Sequence, residues 1–146
     1  MLKAERKIRD FFIETIHNTA ISKNNNVKFV QVGANDGISD DPLTEYIMTG
    51  IWKGLLIEPV PHVYNSLIQN YRNISGLSFL NIAIGFVDGA SKFYTHDNHR
   101  VSSFDYSFVK NKGKGSEVIE LDVTVKRLDN VLIDYSLIKI DVLVID

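Results

Sequence analysis

Cysteine is absent from all 146 residues, so neither a disulfide framework nor a thiolate metal site is available, and the chain suits a reducing interior. A long apolar run is missing too. Nothing approaches the roughly 18 consecutive apolar residues of a membrane-spanning helix. The opening MLKAERKIRDFFIETIHN mixes charge into its apolar positions, unlike the unbroken apolar stretch of a secretory signal. Nor is there an excess of positive charge: 16 lysines and arginines against 18 acidic residues leave a formal net charge of -2, which offers a phosphate backbone little. These absences argue a cytoplasmic protein with no membrane and no nucleic-acid partner. What remains is ordinary for a globular chain, 45% apolar and 23% charged, enough for one hydrophobic core.

The chain alternates between two periodicities. Ala4 to Thr19 sets Ile8, Phe11, Phe12, Thr15 and Ile16 at helical spacing, which predicts an amphipathic opening helix, and residues 1–26 form this helix with a polar lead-in. Lys28 to Val32 reads as a short strand, and Pro42 to Thr49 as a helix opened by Asp41 and Pro42. Gly54 to Ile57, apolar throughout, reads as a strand covered on both faces. Val63, Tyr64, Leu67, Ile68 and Tyr71 recur at helical spacing. Leu77 to Ile84 predicts a third strand, and Gly85 to Thr95 a hairpin turning at Asp88-Gly89. The polar, glycine-bearing Asn98 to Ser116 reads as loop. Glu117 to Val125 reads as a half-exposed strand, Leu128 to Ile133 as a short helix and Asp141 to Ile145 as a last apolar strand. No repeat or long linker divides the chain. The pattern predicts an α/β fold, a parallel sheet with helices on its faces.

Ligands of such sheets bind beyond the carboxyl ends of the strands. VQVGANDGISDDP, Val30 to Pro42, stands there after the first strand. A dinucleotide fingerprint needs a glycine where Asn35 stands, so a pyrophosphate would meet a side chain. Asp36 would repel a phosphate and attract an ammonium, while free amides of the turn and following helix suit a carboxylate. S-adenosylmethionine carries both groups and no phosphate. Glu58, twenty-five residues after Gly33, is placed to accept from both ribose hydroxyls, and Asn81 and Ala83 to flank the adenine. Each position has a plainer account as well: Gly33 and Gly37 closing a turn, Asp36 an ordinary turn aspartate, Glu58 a solvated strand end. The cofactor assignment requires that Asp36 and Glu58 open onto one cleft. A dinucleotide-dependent oxidoreductase is the alternative in which the Asn35 argument fails.

VGANDGISDDPLTEYI, WKGLLIEPVPHVYNSLIQNY, FLNIAIG, VSSF and LDVTVKRLDNVL followed by DVLVID together resemble the FkbM-type S-adenosylmethionine-dependent methyltransferases, from about Phe29 to Asp146. The resemblance implies a Rossmann-like class I methyltransferase sheet, here its N-terminal part, with a preceding amphipathic helix and a β-hairpin insertion. It implies methyl transfer from S-adenosylmethionine, often in this family to an oxygen of a sugar or natural product. It carries cofactor contact onto Gly33, Ala34, Asn35, Asp36 and Gly37, ribose recognition onto Glu58, and the adenine surround onto Asn81 and Ala83. Ser102 and Ser103 match a serine pair assigned to the cofactor or acceptor pocket. Asp146, at the end of the last strand, is positioned for a base or a cofactor contact.

In the family that last strand continues into a glutamate and a glycine, then a helix and more strands. The class I order predicts 3-2-1-4 for the strands present, with the fourth an apolar edge open to pairing. The expectation is one incomplete methyltransferase domain over residues 1–146, the N-terminal portion of a longer enzyme, or a chain whose partner covers the edge. A non-catalytic remnant, binding cofactor weakly or assembling through that edge, is the alternative. His96 and His99 stand three apart beside Asp97, a spacing that suits a metal or a base; without further ligands a solvated loop is the simpler reading and no metal is expected. His62 reads as surface. Phe93, Tyr94, Phe104, Tyr106 and Phe108 alternate as packing aromatics or an acceptor platform, and Lys110 to Lys114 reads as a mobile basic loop.

Overall fold

The computed structural model describes residues 3–96, 101–113 and 115–146. In chain order the elements are α1 (Lys3–Ser22), β1 (Val27–Val32), α2 (Thr44–Met48), β2 (Trp52–Ile57), α3 (Pro61–Tyr71), β3 (Leu77–Leu80), β4 (Ala83–Ile84), β5 (Gly89–His96), β6 (Ser102–Ser103), α4 (Tyr106–Lys112), β7 (Val118–Lys126), α5 (Leu128–Asp134) and β8 (Val142–Ile145). They form two four-stranded sheets, ordered β3-β2-β1-β8 and β4-β7-β5-β6. The first is parallel throughout and has the expected 3-2-1-4 order, with β8 as the fourth strand. This is a Rossmann-like arrangement.

Side-chain alternation decides which helix covers which face. Val27, Phe29, Trp52 and Leu56 face one way and pack with Ile13 and Ala20 of α1, Leu43 and Ile47 at α2, and Leu67 and Tyr71 of α3. Val30, Leu55 and Ile57 face the other way, against Val131, Leu128 and Leu132 of α5. Leu55, Leu56 and Ile57 are all fully buried, as a central strand covered on both faces requires. Gly54 sits where β2 passes closest to β1: a Cβ there would lie 1.9 Å from the Phe29 carbonyl oxygen. The second sheet closes over Val60, Val63, Ala83, Phe93, Val123 and Val125.

Five expectations are corrected. The stripe Ile8, Phe11, Phe12 is exposed, and α1 instead buries Ile13 and Ala20, with Ile16 partly covered; the Trp52 Nε1–H donates to His17 Nδ1 at 3.1 Å and fixes this face inward. The segment 77–84 is two strands, because Asn81 donates from Nδ2 to the carbonyls of Glu58 (2.8 Å) and Pro59 (3.0 Å) and turns the chain out of the first sheet. The bend at Asp88 is no hairpin. Its flanking strands both pair with β7, β4 in parallel and β5 antiparallel, while the Asp88 carboxylate accepts from Arg127 N (2.6 Å) and Asn130 Nδ2 (2.9 Å). Within 98–116, read as loop, lie β6 and α4, the helix capped by Asp105 Oδ1 accepting from Phe108 N at 3.1 Å; Lys110 and Lys112 are therefore helical. The helix after Asp41 is also shorter than expected and starts at Thr44, with Asp41 Oδ1 accepting from Leu43 N at 2.7 Å. Among the described residues no helix is long and apolar enough to cross a membrane.

Candidate functional site

The turn after β1 is built from three left-handed residues, Gly33 (φ +76°), Asn35 (φ +49°) and Gly37 (φ +75°). Asparagine is among the few residues with a side chain that visit this region readily. The N–H groups of Gly33 and Ala34 both donate to the Ile57 carbonyl, at 2.9 and 3.0 Å, which ties the turn to the end of β2. A Cβ on Gly33 would stand 3.1 Å from the Asp146 carbonyl oxygen, so a side chain here would crowd the end of β8.

Glu58 is 6% exposed and no solvated strand end. Its Oε2 accepts from Asn35 N at 2.9 Å and its Oε1 from Val60 N at 2.9 Å, joining the turns that follow β1 and β2. Burial pushes its carboxyl above the ordinary glutamate range, and those two N–H groups offset the effect only in part. Each oxygen retains a second lone pair. Glu58, Gly33 and Asn35 line a cleft of about 690 Å³, faced across it by Phe93, Ser102, Phe108 and Lys112 from the second sheet and α4.

Asp36 does not join Glu58 there. It lines neither this cleft nor its neighbour. Its Oδ1 accepts from Ile38 N (2.9 Å) and Ser39 N (2.7 Å), and its Oδ2 from Ser39 Oγ (2.7 Å). Burial raises its pKa, but these bonds outweigh burial and hold the carboxyl below its ordinary value. Asp36 and Glu58 line no common cleft, because a local turn motif has taken up the Asp36 carboxylate; the sequence argument that joined the two acids therefore falls, and a cofactor reading has to stand on Glu58 and the turn backbone without Asp36. Asn81 and Ala83 also stand apart. Asn81 holds the Glu58-Pro59 backbone from outside, and Ala83 is 3% exposed within the second sheet's core. Gly37 packs under α3 and borders neither cleft.

A second cleft of about 560 Å³ adjoins the first, sharing Gly33, Asn35 and Asp146 with it. Ala34 lines it, together with Gln31, Ser39 and Asp41, and with Arg6 and Arg9 of α1. Gln31 is 3% exposed. Its Nε2 donates to Asp41 Oδ2 at 2.7 Å, while its Oε1 has no hydrogen-bond partner, the one such buried side-chain atom among the described residues. Burial pushes the Asp41 carboxyl up, the hydrogen bonds from Leu43 N and Gln31 pull it down, and the charges of Asp146 and Asp36 add to the rise. Sequence reasoning gave Gln31 no role and Asp41 only that of opening a helix; the signal was a glutamine inside the otherwise apolar FVQV.

The other candidates divide. Ser102 lines the first cleft and shares a 2.7 Å hydrogen bond with Thr95 Oγ1, whereas Ser103 Oγ accepts from Asp105 N at 3.1 Å. His96 is not in a solvated loop. It is 1% exposed at the end of β5, its Nδ1 3.1 Å from the Glu117 carbonyl and its Nε2 2.6 Å from that of Val109. Asp97 and His99 lie outside the described residues. His62 is exposed on α3 and lines neither cleft.

A parallel sheet in 3-2-1-4 order, with a glycine turn and a buried acidic residue meeting at the ends of its two central strands, is a Rossmann-like α/β arrangement, in which ligands bind beyond the carboxyl ends of the strands. Residues 31–146 match the family model of the methyltransferase FkbM domain. The chain belongs to this methyltransferase family. No curated protein and no solved structure matches it significantly.

Proposed function

We propose that the chain transfers the methyl group of S-adenosylmethionine to an oxygen of a small acceptor, a sugar or a natural product, in the cytoplasm. The observation that carries this reading is the junction of Glu58 with the Gly33-Asn35 turn at 2.9 Å in a single cleft. The residues fit the donor on a further count: Gln31, which lines the adjoining cleft, offers a buried acceptor with no donor of its own. When bound, the donor supplies a methyl group already activated by its sulfonium.

The protein's part is to bind, orient and exclude water. Glu58, fixed by its two backbone bonds, presents its remaining lone pairs to ribose hydroxyls. Phe93 and Phe108, across the cleft, form an apolar wall for the acceptor. Holding two reactants in line can lower a barrier by about 7 to 11 kcal/mol, and no general base is required. Calorimetry with S-adenosylhomocysteine tests the reading, and binding is expected to raise the melting temperature by mass action. Glu58→Gln should weaken binding about tenfold, the loss of one hydrogen bond to a charged acceptor. A thermal shift given by nicotinamide dinucleotides in its place would replace the reading with an oxidoreductase.

A further inference from the structure

The second cleft is lined by charges of both signs, Arg6 and Arg9 from α1 and the carboxylates of Asp40, Asp41 and Asp146. Among its lining residues are Gln31, whose Oε1 is an acceptor without a donor, and beside it Asp41, which accepts from Gln31 Nε2 at 2.7 Å. An anion brought to Gln31 Oε1 and Asp41 would set acceptor against acceptor, so the group that completes this pair is a cationic N–H donor. A metal ion is not the match, because no group of three or more metal-ligating side chains forms among the described residues. Arg6 and Arg9 of α1 line the same cleft. Arg9 already pairs with Asp10 at 2.7 Å, whereas the Arg6 guanidinium has no ion-pair partner among the described residues. Such a guanidinium takes a carboxylate through a planar two-bond contact.

An α-amino acid carries both complementary groups two bonds apart. The two clefts are continuous across Gly33, Asn35 and Asp146, so a molecule with its nucleoside beside Glu58 reaches the second cleft without leaving the protein. We propose that Arg6, Gln31 and Asp41 form the subsite for the amino-acid end of the donor, with Arg6 holding its carboxylate and Gln31 Oε1 and Asp41 its ammonium. This rests on the donor reading above, and it gives the part expected of Asp36 to residues from three other segments. It also gives a function to α1, which lies ahead of the residues the family model matches.

The test compares two ligands by calorimetry: S-adenosylhomocysteine, and 5'-methylthioadenosine, which keeps the nucleoside and the sulfur and lacks the amino acid. Arg6→Gln is expected to weaken S-adenosylhomocysteine about tenfold, the size of one charge-assisted hydrogen bond, and to leave 5'-methylthioadenosine unchanged. Arg6→Lys should restore part of the loss. Gln31→Leu should discriminate between the ligands in the same direction, with 5'-methylthioadenosine binding reporting that the variant is folded. If the native chain binds both ligands and Arg6→Gln weakens neither, or weakens both equally, this assignment alone is overturned. If the native chain binds neither, the donor reading falls and this subsite with it.

Discussion

Burial penalises the ionised form of Glu58 and the two N–H donors favour it, and burial wins, so its carboxyl titrates above the ordinary glutamate value of 4.5. The native state therefore holds that proton more tightly than the unfolded chain does. Its contribution is favourable at the acid end and is lost as pH rises from 4.5 through the raised native value. Asp36 acts in the opposite sense: its native value is lowered, so its stabilisation is present above 3.8 and is lost as pH falls through the native value. Glu58→Gln has one acceptor oxygen for two N–H groups, and either Asn35 N or Val60 N is left facing an amide NH2. We expect a loss of about 1–3 kcal/mol in denaturant unfolding, the usual penalty for stranding a buried donor. The gap between variant and native should narrow as pH rises through the window above 4.5, since only the native chain then has a charge to bury. A gap that is constant across that window would remove Glu58 as the group responsible.

The glycine turn is held to its neighbours by the Gly37 carbonyl, which accepts from Thr44 Oγ1 at 2.8 Å and from the Tyr71 hydroxyl. Burial, together with the charge of Asp41, pushes that hydroxyl up to about 12, so it stays a donor at every working pH. A Cβ on Gly37 would come within 2.4 Å of the Tyr71 ring and 2.7 Å of Leu67 Cδ1, in a backbone conformation with φ +75°. Gly37→Ala should therefore cost about 2 kcal/mol or more, from the left-handed backbone and the overlap together, read as a lowered melting temperature. An unchanged melting temperature would mean that the turn and α3 are not coupled. The elements that could be read in the sequence are those whose reasons are local. β1, β2, α3, β7, α5 and β8 carry their periodicity in their own residues. α1 carries two apolar stripes, and only the distant Trp52-His17 bond selects one. β4 separates from β3 because of what Asn81 bonds across the sheet end. α4 buries only Val109, too little to show a period. The site divides in the same way: Glu58 follows from strand spacing, while Asp36 is taken up by a hydroxyl three residues on, and Gln31 gains meaning only beside Asp41.

Across the whole molecule, β8 pairs with β1, and its other edge is unpaired among the described residues. Val142 and Val144 pack into the core on one face, but Leu143 and Ile145 are 44% and 66% exposed. An apolar edge of this kind pairs readily with a further strand, and natural proteins often blunt one with lysine. We therefore expect the 146-residue chain to self-associate as concentration rises, followed by light scattering. Leu143→Lys places a charge on the exposed face without entering the core. It should shift the distribution toward monomer while changing stability by no more than about 0.5 kcal/mol, the usual range for a surface substitution. The two clefts lie at the carboxyl ends of β1, β2 and β8, and Leu143 borders neither, so on the donor reading proposed above binding of S-adenosylhomocysteine by Leu143→Lys should match that of the native chain. A native chain that is monomeric at every concentration would show that this edge is closed to pairing in solution. Self-association undiminished by the lysine would place the contact elsewhere, with the exposed Ile8, Phe11 and Phe12 stripe of α1 the next surface to charge.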